Sequence, residues 1–144
     1  MTTADALMRR RSPCKVLVAD DHDETRITQR LILEHFGFAV IEARTGLEAL
    51  ALAQANQPRV VLLDIELPEI DGRELTRMLR ADPCMRNAAL VAVSALGEPE
   101  ARASALSAGV DAFLTKPVSP LDLVDMVRSY ARRPFPRAAS SVGL

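Results

Sequence analysis

Five short apolar runs alternate along the chain with five longer stretches whose apolar residues recur every three or four positions. Short continuous runs are typical of buried strands, and the longer period is typical of amphipathic helices. The runs predict strands over residues 15–19, 38–41, 60–63, 90–93 and 111–114. The periodic stretches predict helices over residues 22–36 and 99–108, and helices that begin at Thr45, after Gly72 and at Ser119. Thr45 and Glu48 form a predicted capping box, in which the two side chains satisfy free backbone amides reciprocally.

Each predicted strand is apolar throughout, which indicates a sheet covered by helices on both faces. Strands that alternate with helices pair in parallel through right-handed crossovers. The pattern therefore predicts a doubly wound α/β fold with five parallel strands and five helices. Residues 1–12 and 133–144 lack periodicity, so we expect a flexible N-terminal extension and a flexible C-terminal tail around one folded domain, residues 13–132.

The composition excludes several classes of protein. With 144 residues, 49% of them apolar and 26% charged, the chain can bury one core of ordinary size. No apolar run reaches the roughly 18 residues of a membrane span, and the apolar segment of a signal peptide does not follow Arg9–Arg11. Cys14 and Cys84 have neither metal-ligand nor disulfide spacing, so we expect a cytoplasmic protein.

The net charge of −1 is unevenly distributed along the chain. Residues 1–13 carry +2 and residues 128–144 carry +4, so the segment between them carries −7. An acidic body lacks the positive face that binds nucleic acid, and we expect no direct nucleic-acid partner. The basic ends are either solvated termini or a weak electrostatic contact for a partner.

Polar side chains follow four of the five predicted strands. Asp20 and Asp21 follow the first strand, Asp64 the third, Ser94 the fourth and Lys116 the fifth. The carboxyl ends of parallel strands lie at one edge of the sheet, and open α/β sheets bind their ligands there. We therefore expect three carboxylates, one hydroxyl and one ammonium at a single edge.

This set of groups suits phosphoryl chemistry. Three neighbouring carboxylates repel one another unless a cation lies among them, and a site of oxygen ligands favours magnesium, Mg²⁺. Lys116 neutralises one carboxylate and can hold an anion, while Ser94 offers a hydroxyl donor. Asp64 follows the most strand-like run of the chain and is the predicted nucleophile that accepts a phosphoryl group.

At these residues the chain resembles the receiver domain of response regulators in two-component signalling. The matching motifs occur in the family's order, each at a strand end, and the resemblance covers residues 14–132. They are Val18-Ala19-Asp20-Asp21, Leu63-Asp64-Ile65-Glu66-Leu67-Pro68-Glu69-Ile70-Asp71-Gly72, Val93-Ser94-Ala95 and Phe113-Leu114-Thr115-Lys116-Pro117. The resemblance implies a flavodoxin-like sheet with the strand order 2-1-3-4-5.

The resemblance also implies roles for the acidic residues. Asp64 is expected to take a phosphoryl group from the phosphohistidine of a histidine kinase or of a histidine phosphotransfer protein. Mg²⁺ is expected to bind Asp21, Asp64 and the backbone carbonyl of Glu66 directly, and Asp20 mostly through water. Lys116 is expected to pair with Asp64 before phosphorylation and with the phosphoryl oxygens afterwards.

A conformational switch is a further implication of the resemblance. Pro117 matches a proline that is commonly cis in the family, which aims Lys116 inward. After phosphorylation, Ser94 swings toward the phosphoryl group and Phe113 turns inward, which alters the surface formed by the fourth helix, fifth strand and fifth helix. An aromatic residue in a strand is also typical of a core, so a Phe113 that never moves is the alternative. Gly72 is expected to serve a turn conformation.

Some polar residues receive no chemical role from the sequence. His22 and His35 are interpreted as solvated helix residues, because no further histidine or cysteine groups with them. Glu66 and Leu96 lie where the family tunes the lifetime of the phosphoryl group, and the sequence does not fix the direction of that effect.

The favoured hypothesis is a stand-alone phospho-accepting regulator of a two-component system or phosphorelay, not an enzyme. Nothing after residue 132 predicts an output domain, so the signal passes to a downstream protein through the switch surface or by transfer of the phosphoryl group. We expect a monomer or weak homodimer without membrane contact. The alternatives are a receiver-like scaffold independent of phosphorylation and an aspartate-nucleophile phosphohydrolase. Haloacid-dehalogenase-type phosphohydrolases have an aspartate where this chain has Glu66, and their nucleophile lies on the first strand.

Overall fold

The structure, a computed structural model, describes residues 14–132. The predicted tails, residues 1–12 and 133–144, lie outside these residues. Its strands are β1 (Lys15–Ala19), β2 (Ala39–Ala43), β3 (Val60–Leu63), β4 (Ala89–Ser94) and β5 (Ala112–Thr115). Its helices are α1 (Asp23–His35), α2 (Gly46–Asn56), α3 (Gly72–Ala81), α4 (Pro99–Ala108) and α5 (Pro120–Ala131). None of the helices within 14–132 has the length and apolar character that a membrane crossing requires.

The five strands form one parallel sheet with the order β2-β1-β3-β4-β5. The predicted doubly wound α/β fold and its strand order 2-1-3-4-5 are therefore confirmed. Ala19, the last residue of β1, pairs in register with Leu63, the last residue of β3. The residues that follow these two strands, Asp20 and Asp64, therefore leave the sheet side by side at its carboxyl edge.

Each face of the sheet packs on its own apolar core. One core joins the sheet to α2, α3 and α4 and includes Leu63 and Leu75. The other joins it to α1 and α5 and includes Leu33, Leu62 and Val127. All residues of β3 are buried, as the prediction of a sheet covered on both faces requires. The strand that precedes Asp64 is thus held from both sides.

The second strand lies later in the chain than predicted. The apolar run placed it over residues 38–41, whereas β2 spans Ala39–Ala43. Phe38 lies in the turn that follows α1, where its amide donates to the Leu33 carbonyl at 3.1 Å. The strand continues beyond the apolar run through Glu42, because β2 pairs with β1 along the full length of both strands.

Two helices begin where their side-chain caps were predicted. At α2 the Thr45 hydroxyl accepts a hydrogen bond from the Glu48 amide at 3.0 Å. The Glu48 carboxylate, however, accepts a hydrogen bond from the Arg44 amide at 2.6 Å. The predicted capping box would have used the amide of Thr45 instead. At α5 the Ser119 hydroxyl accepts from the Asp122 amide at 3.2 Å. Both helices therefore start with a satisfied amide.

Candidate functional site

Two carboxylates are buried at the carboxyl edge of the sheet. The Asp20 amide donates to the Ala43 carbonyl at 3.0 Å, and the Asp64 amide donates to the Ala19 carbonyl at 2.9 Å. These bonds continue the strand pairing by one residue and fix both aspartates at the strand ends. Asp20 is 2% exposed and Asp64 is 3% exposed. Asp21, one residue further along, has a side chain that is 40% exposed and reaches solvent.

Lys116 lies between the two buried carboxylates. Its Nζ donates to Asp20 Oδ2 at 2.8 Å and to Asp64 Oδ2 at 2.9 Å. Burial disfavours the charged form of Lys116, but the hydrogen bonds and charges of Asp20 and Asp64 hold its pKa above the ordinary value. The Lys116–Pro117 peptide bond is cis, as the family resemblance implied. One ammonium thus serves two carboxylates from different strands.

The predicted switch residues, Ser94 and Phe113, lie on the neighbouring strands β4 and β5. Ser94, fully buried at the end of β4, accepts a hydrogen bond from the Leu96 amide at 3.0 Å, and its carbonyl accepts from the Lys116 amide at 2.8 Å. Phe113 is buried in the core, and the Arg102 guanidinium of α4 lies 5.1 Å from its ring centre. An inward Phe113 fits both the switch and the fixed-core interpretations.

The loop after β3 contributes backbone groups to the site. The Glu66 amide donates to Asp64 Oδ1 at 3.0 Å, while the Glu66 side chain is exposed. A Cβ atom on Gly72 would collide with the Asp64 carbonyl oxygen and lie 2.7 Å from Ile65 Cα. The expectation that Gly72 serves a turn conformation is therefore wrong: glycine is needed because α3 begins in contact with the backbone behind Asp64. The left-handed residue of this turn is Glu69, with φ of 71°.

His22 lies beside the site, a position that was not predicted from the sequence. Its side chain is 63% exposed, so its interpretation as a solvated residue holds. The helix α1 begins at Asp23, so His22 is its N-cap residue and has an extended backbone. Its Nδ1 lies 3.0 Å from Asp20 Oδ1 and 3.3 Å from Asp21 Oδ1. The hydrogen bond to Asp20 and the charges of Asp21 and Asp20 raise the pKa of His22. The sequence signal was its position directly after the acidic pair.

A buried guanidinium that was not predicted from the sequence binds the backbone carbonyl of Asp20. Arg26 is 3% exposed, and its Nη1 donates to the Asp20 carbonyl at 3.0 Å. Its other nitrogens donate to Glu42 Oε1 at 2.9 Å and to Asp23 Oδ1 at 2.7 Å. Although burial opposes its charge, these two carboxylates raise the pKa of Arg26. Glu42, the polar residue within β2, is the only hint that a buried cation lies nearby.

The donor set fits a divalent cation. Three carboxylates face one ammonium, which leaves a net charge of about −2 when all are ionised. One ligand atom from each of Asp20, Asp21, His22 and Asp64 can be chosen so that all four lie within 4.8 Å of one another. Carboxylate oxygens at this spacing are the ligands of hard cations such as Mg²⁺.

Comparison with known proteins shows the family to which the chain belongs. The family model of the response regulator receiver domain matches residues 16–128. The chain is 32% identical over 118 residues to the polar-differentiation response regulator DivK of Brucella anthropi, an alignment that covers 82% of this chain and 96% of DivK.

Many solved structures are similar to this one, and two of them are response regulators from Francisella and Vibrio cholerae. The receiver domain of the Francisella response regulator 1452 has a TM-score of 0.77 and 34% identity, covering 83% of this chain and 97% of that chain. The chemotaxis response regulator CheY4 of Vibrio cholerae has a TM-score of 0.78 and 26% identity, covering 82% and 98%. The chain therefore belongs to the response regulator receiver domain family of two-component signalling.

Proposed function

We propose that this chain is a phospho-accepting response regulator of a two-component system or phosphorelay, with residues 13–132 as its receiver domain. Receiver domains are signalling phosphoacceptors rather than enzymes. The observation that carries the proposal is Lys116 Nζ, held within 2.9 Å of both Asp20 Oδ2 and Asp64 Oδ2. An ammonium at this place can remain bound to Asp64 and also meet the oxygens of an arriving phosphoryl group.

In the proposed reaction, a carboxylate oxygen of Asp64 attacks the phosphorus of a phosphohistidine. The new P–O bond gives an aspartyl phosphate, and the breaking P–N bond leaves its electron pair on the histidine of the donor kinase or phosphotransfer protein. Lys116 keeps its proton and balances the added negative charge. The Glu66 amide, 3.0 Å from Asp64 Oδ1, orients the acceptor carboxylate.

Mg²⁺ belongs to this proposal because the acidic residues suit it. Asp20, Asp21 and Asp64 would hold the ion, together with the backbone carbonyl of Glu66. When bound, Mg²⁺ supplies positive charge that offsets the repulsion between the carboxylates and a phosphoryl group. Asp21, which is exposed, offers the most accessible of these oxygens.

The phosphorylated state is proposed to act through the surface formed by α4, β5 and α5. Ser94 would exchange its bond from the Leu96 amide for one to the phosphoryl group, which frees the loop before α4. The Arg102 guanidinium of α4 lies over the Phe113 ring of β5. A shift of the loop before α4 would therefore change the surface that a downstream protein would bind. The protein is proposed to act as a monomer or weak homodimer.

The test is phosphorylation by acetyl phosphate with and without Mg²⁺, measured on a phosphate-affinity gel. We expect a hydroxylamine-labile band that requires Mg²⁺, is absent in Asp64→Asn and persists in Asp125→Asn, a matched change at an exposed position of α5. A band that persists in Asp64→Asn would overturn the assignment of the acceptor. Absence of the band with acetyl phosphate and with several histidine kinases, in protein whose circular dichroism is native, would favour a phosphorylation-independent scaffold.

A further inference from the structure

The imidazole of His22 lies beside the three carboxylates of the proposed cation site. Its Nδ1 is 3.0 Å from Asp20 Oδ1, 3.3 Å from Asp21 Oδ1 and 3.8 Å from Asp64 Oδ2. We propose that His22 is a nitrogen ligand of this site and raises its affinity for first-row transition-metal ions relative to Mg²⁺. The inference rests on the cation site of the proposed function and adds a ligand and a metal preference to it.

The backbone of His22 and the carboxylate of Asp20 together set the position of the imidazole. The His22 amide donates to Asp20 Oδ1 at 2.9 Å, the same oxygen that Nδ1 approaches. The side chain of His22 is 63% exposed, so core packing does not hold the ring. Its position follows from the start of α1 at Asp23, which leaves His22 with an extended backbone at the N-cap. The carboxylates therefore determine where Nδ1 points.

The distances suit one shared ion. The selected ligand atoms of Asp20, Asp21, His22 and Asp64 all lie within 4.8 Å of one another. Ligands of a zinc-sized ion lie about 2.0–2.2 Å from it, so two of them are about 4.4 Å apart when they lie on opposite sides and about 3.5 Å apart in a tetrahedral site. The side chains would therefore have to move inward to share such an ion, and the exposed Asp21 and His22 side chains have the room to do so.

The chemistry of imidazole gives the metal preference. Nδ1 lies 3.0 Å from Asp20 Oδ1, and an ionised carboxylate only accepts hydrogen bonds, so this contact requires a hydrogen on Nδ1. On coordination this proton leaves Nδ1, for Nε2 or for solvent, and the Nδ1 lone pair binds the metal. Mg²⁺ prefers oxygen ligands and gains little from a nitrogen, whereas Ni²⁺ and Zn²⁺ bind imidazole well. Compared with the carboxylates alone, a site that also contains His22 therefore binds transition-metal ions more tightly relative to Mg²⁺.

The decisive measurement is pulsed electron paramagnetic resonance of Mn²⁺ bound to the full, tag-free chain. A directly bound imidazole gives a ¹⁴N modulation of the Mn²⁺ signal. We expect this modulation in the wild type and in His35→Gln, and its loss in His22→Gln. His35 is the matched control because it is the other histidine of the chain and lies at the far end of α1.

A second measurement follows affinity by competition between Ni²⁺ and Mg²⁺. His22→Gln is expected to weaken Ni²⁺ binding by about 10- to 100-fold and to change Mg²⁺ binding little. Mn²⁺ that binds without ¹⁴N modulation, or an unchanged Ni²⁺ affinity, would overturn the role of His22 and leave the proposed phosphoacceptor intact. Failure of Mn²⁺ and Mg²⁺ to bind at all would overturn both proposals.

Discussion

Lys116 Nζ and Asp64 Oδ2 are 2.9 Å apart, although 52 positions separate the two residues in the chain. The ammonium is shared with Asp20, whose Oδ2 lies 2.8 Å away. Both carboxylates are almost completely buried, and Lys116 offsets part of the charge of each. Stability and cation binding are therefore coupled at this site.

Lys116→Met is expected to destabilise the metal-free protein, because it removes the ammonium that bonds to both Asp20 and Asp64 where they are buried together. Loss of one partner from a buried ion pair costs roughly 3–5 kcal/mol in the free energy of unfolding. Mg²⁺ should then stabilise the variant more than the wild type, because the ion takes over the role of the ammonium. Thermal unfolding in EDTA and in Mg²⁺ measures both effects.

Lys15→Met is the matched control, since Lys15 is exposed at the opposite end of β1. It should change neither the melting temperature nor the response to Mg²⁺ appreciably. Equal Mg²⁺ stabilisation of Lys116→Met and the wild type would contradict the coupling.

Gly72→Ala is expected to disturb the acceptor loop. The new Cβ would meet the Asp64 carbonyl oxygen and Ile65 Cα, both backbone atoms that cannot rotate away. We expect a loss of about 1–3 kcal/mol in the free energy of unfolding and weaker Mg²⁺ binding by isothermal titration calorimetry.

Gly37→Ala separates this clash from ordinary glycine strain. Gly37 has a φ of 96° and open space around it, so its substitution costs about 1–2 kcal/mol of backbone strain without touching the site. Unchanged Mg²⁺ affinity is expected there. A Gly72→Ala protein with wild-type Mg²⁺ affinity would show that Asp64 tolerates the displacement.

Arg26→Met is expected to loosen the loop that carries Asp20. The substitution removes the donor to the Asp20 carbonyl and leaves Glu42 with its contact to Arg30, whose Nε lies 2.9 Å from Glu42 Oε2. Breaking a buried charged network costs about 3 kcal/mol or more in the free energy of unfolding, measured by urea denaturation. Mg²⁺ affinity should fall as well, because Asp20 is no longer fixed.

Arg30→Met removes a neighbouring guanidinium of the same network that contacts Glu42 and Glu34. It should cost less stability than Arg26→Met and leave Mg²⁺ affinity unchanged. A larger effect on Mg²⁺ binding from Arg30→Met than from Arg26→Met would argue against a positioning role for Arg26.

Asp71→Ala is expected to cost about 1 kcal/mol at neutral pH, because Asp71 caps α3 through the Arg73 amide at 2.8 Å. Burial tends to raise the pKa of Asp71, but the hydrogen bonds and charge of Arg73 outweigh it, so the pKa is lowered. A lowered pKa gives stability that is present above the ordinary aspartate value and lost as pH falls through the folded value. Because Asp71 is partly exposed, solvent screens this contribution.

Urea denaturation of the wild type and Asp71→Ala between about pH 7 and pH 3 measures this difference. The gap in the free energy of unfolding should narrow as the medium becomes more acidic than the ordinary aspartate pKa. Asp125→Ala, at an exposed position of α5, should have nearly the same free energy of unfolding as the wild type at every pH in this range. A gap for Asp71→Ala that is independent of pH would contradict the lowered pKa of Asp71.

The fold and the three carboxylates and lysine at the sheet edge could be predicted from the amino-acid pattern. Apolar runs and helical periods alternate clearly enough to predict a doubly wound sheet, and such a sheet brings the ends of its parallel strands to one edge. Asp20, Asp21, Asp64 and Lys116 could therefore be grouped before any coordinates, since each follows a strand. Their grouping depends on all strands running in the same direction, which the alternation of strands and helices predicts, whereas the strand order followed from the family resemblance.

Contacts between segments, and the direction of the chain where an element begins, could be read from the folded protein alone. His22 lies beside the carboxylates because α1 begins at Asp23, one residue later than the apolar period indicated, which leaves His22 at the N-cap with an extended backbone. Arg26 is buried because Asp23, Glu42 and the Asp20 carbonyl surround it, a combination drawn from three segments. Gly72 is required because the start of α3 lies against the backbone of Asp64 and Ile65, at the other end of the same loop. Periodicity specifies which face of an element is buried, whereas these contacts depend on distances of a few ångströms between elements, which only the packed chain sets.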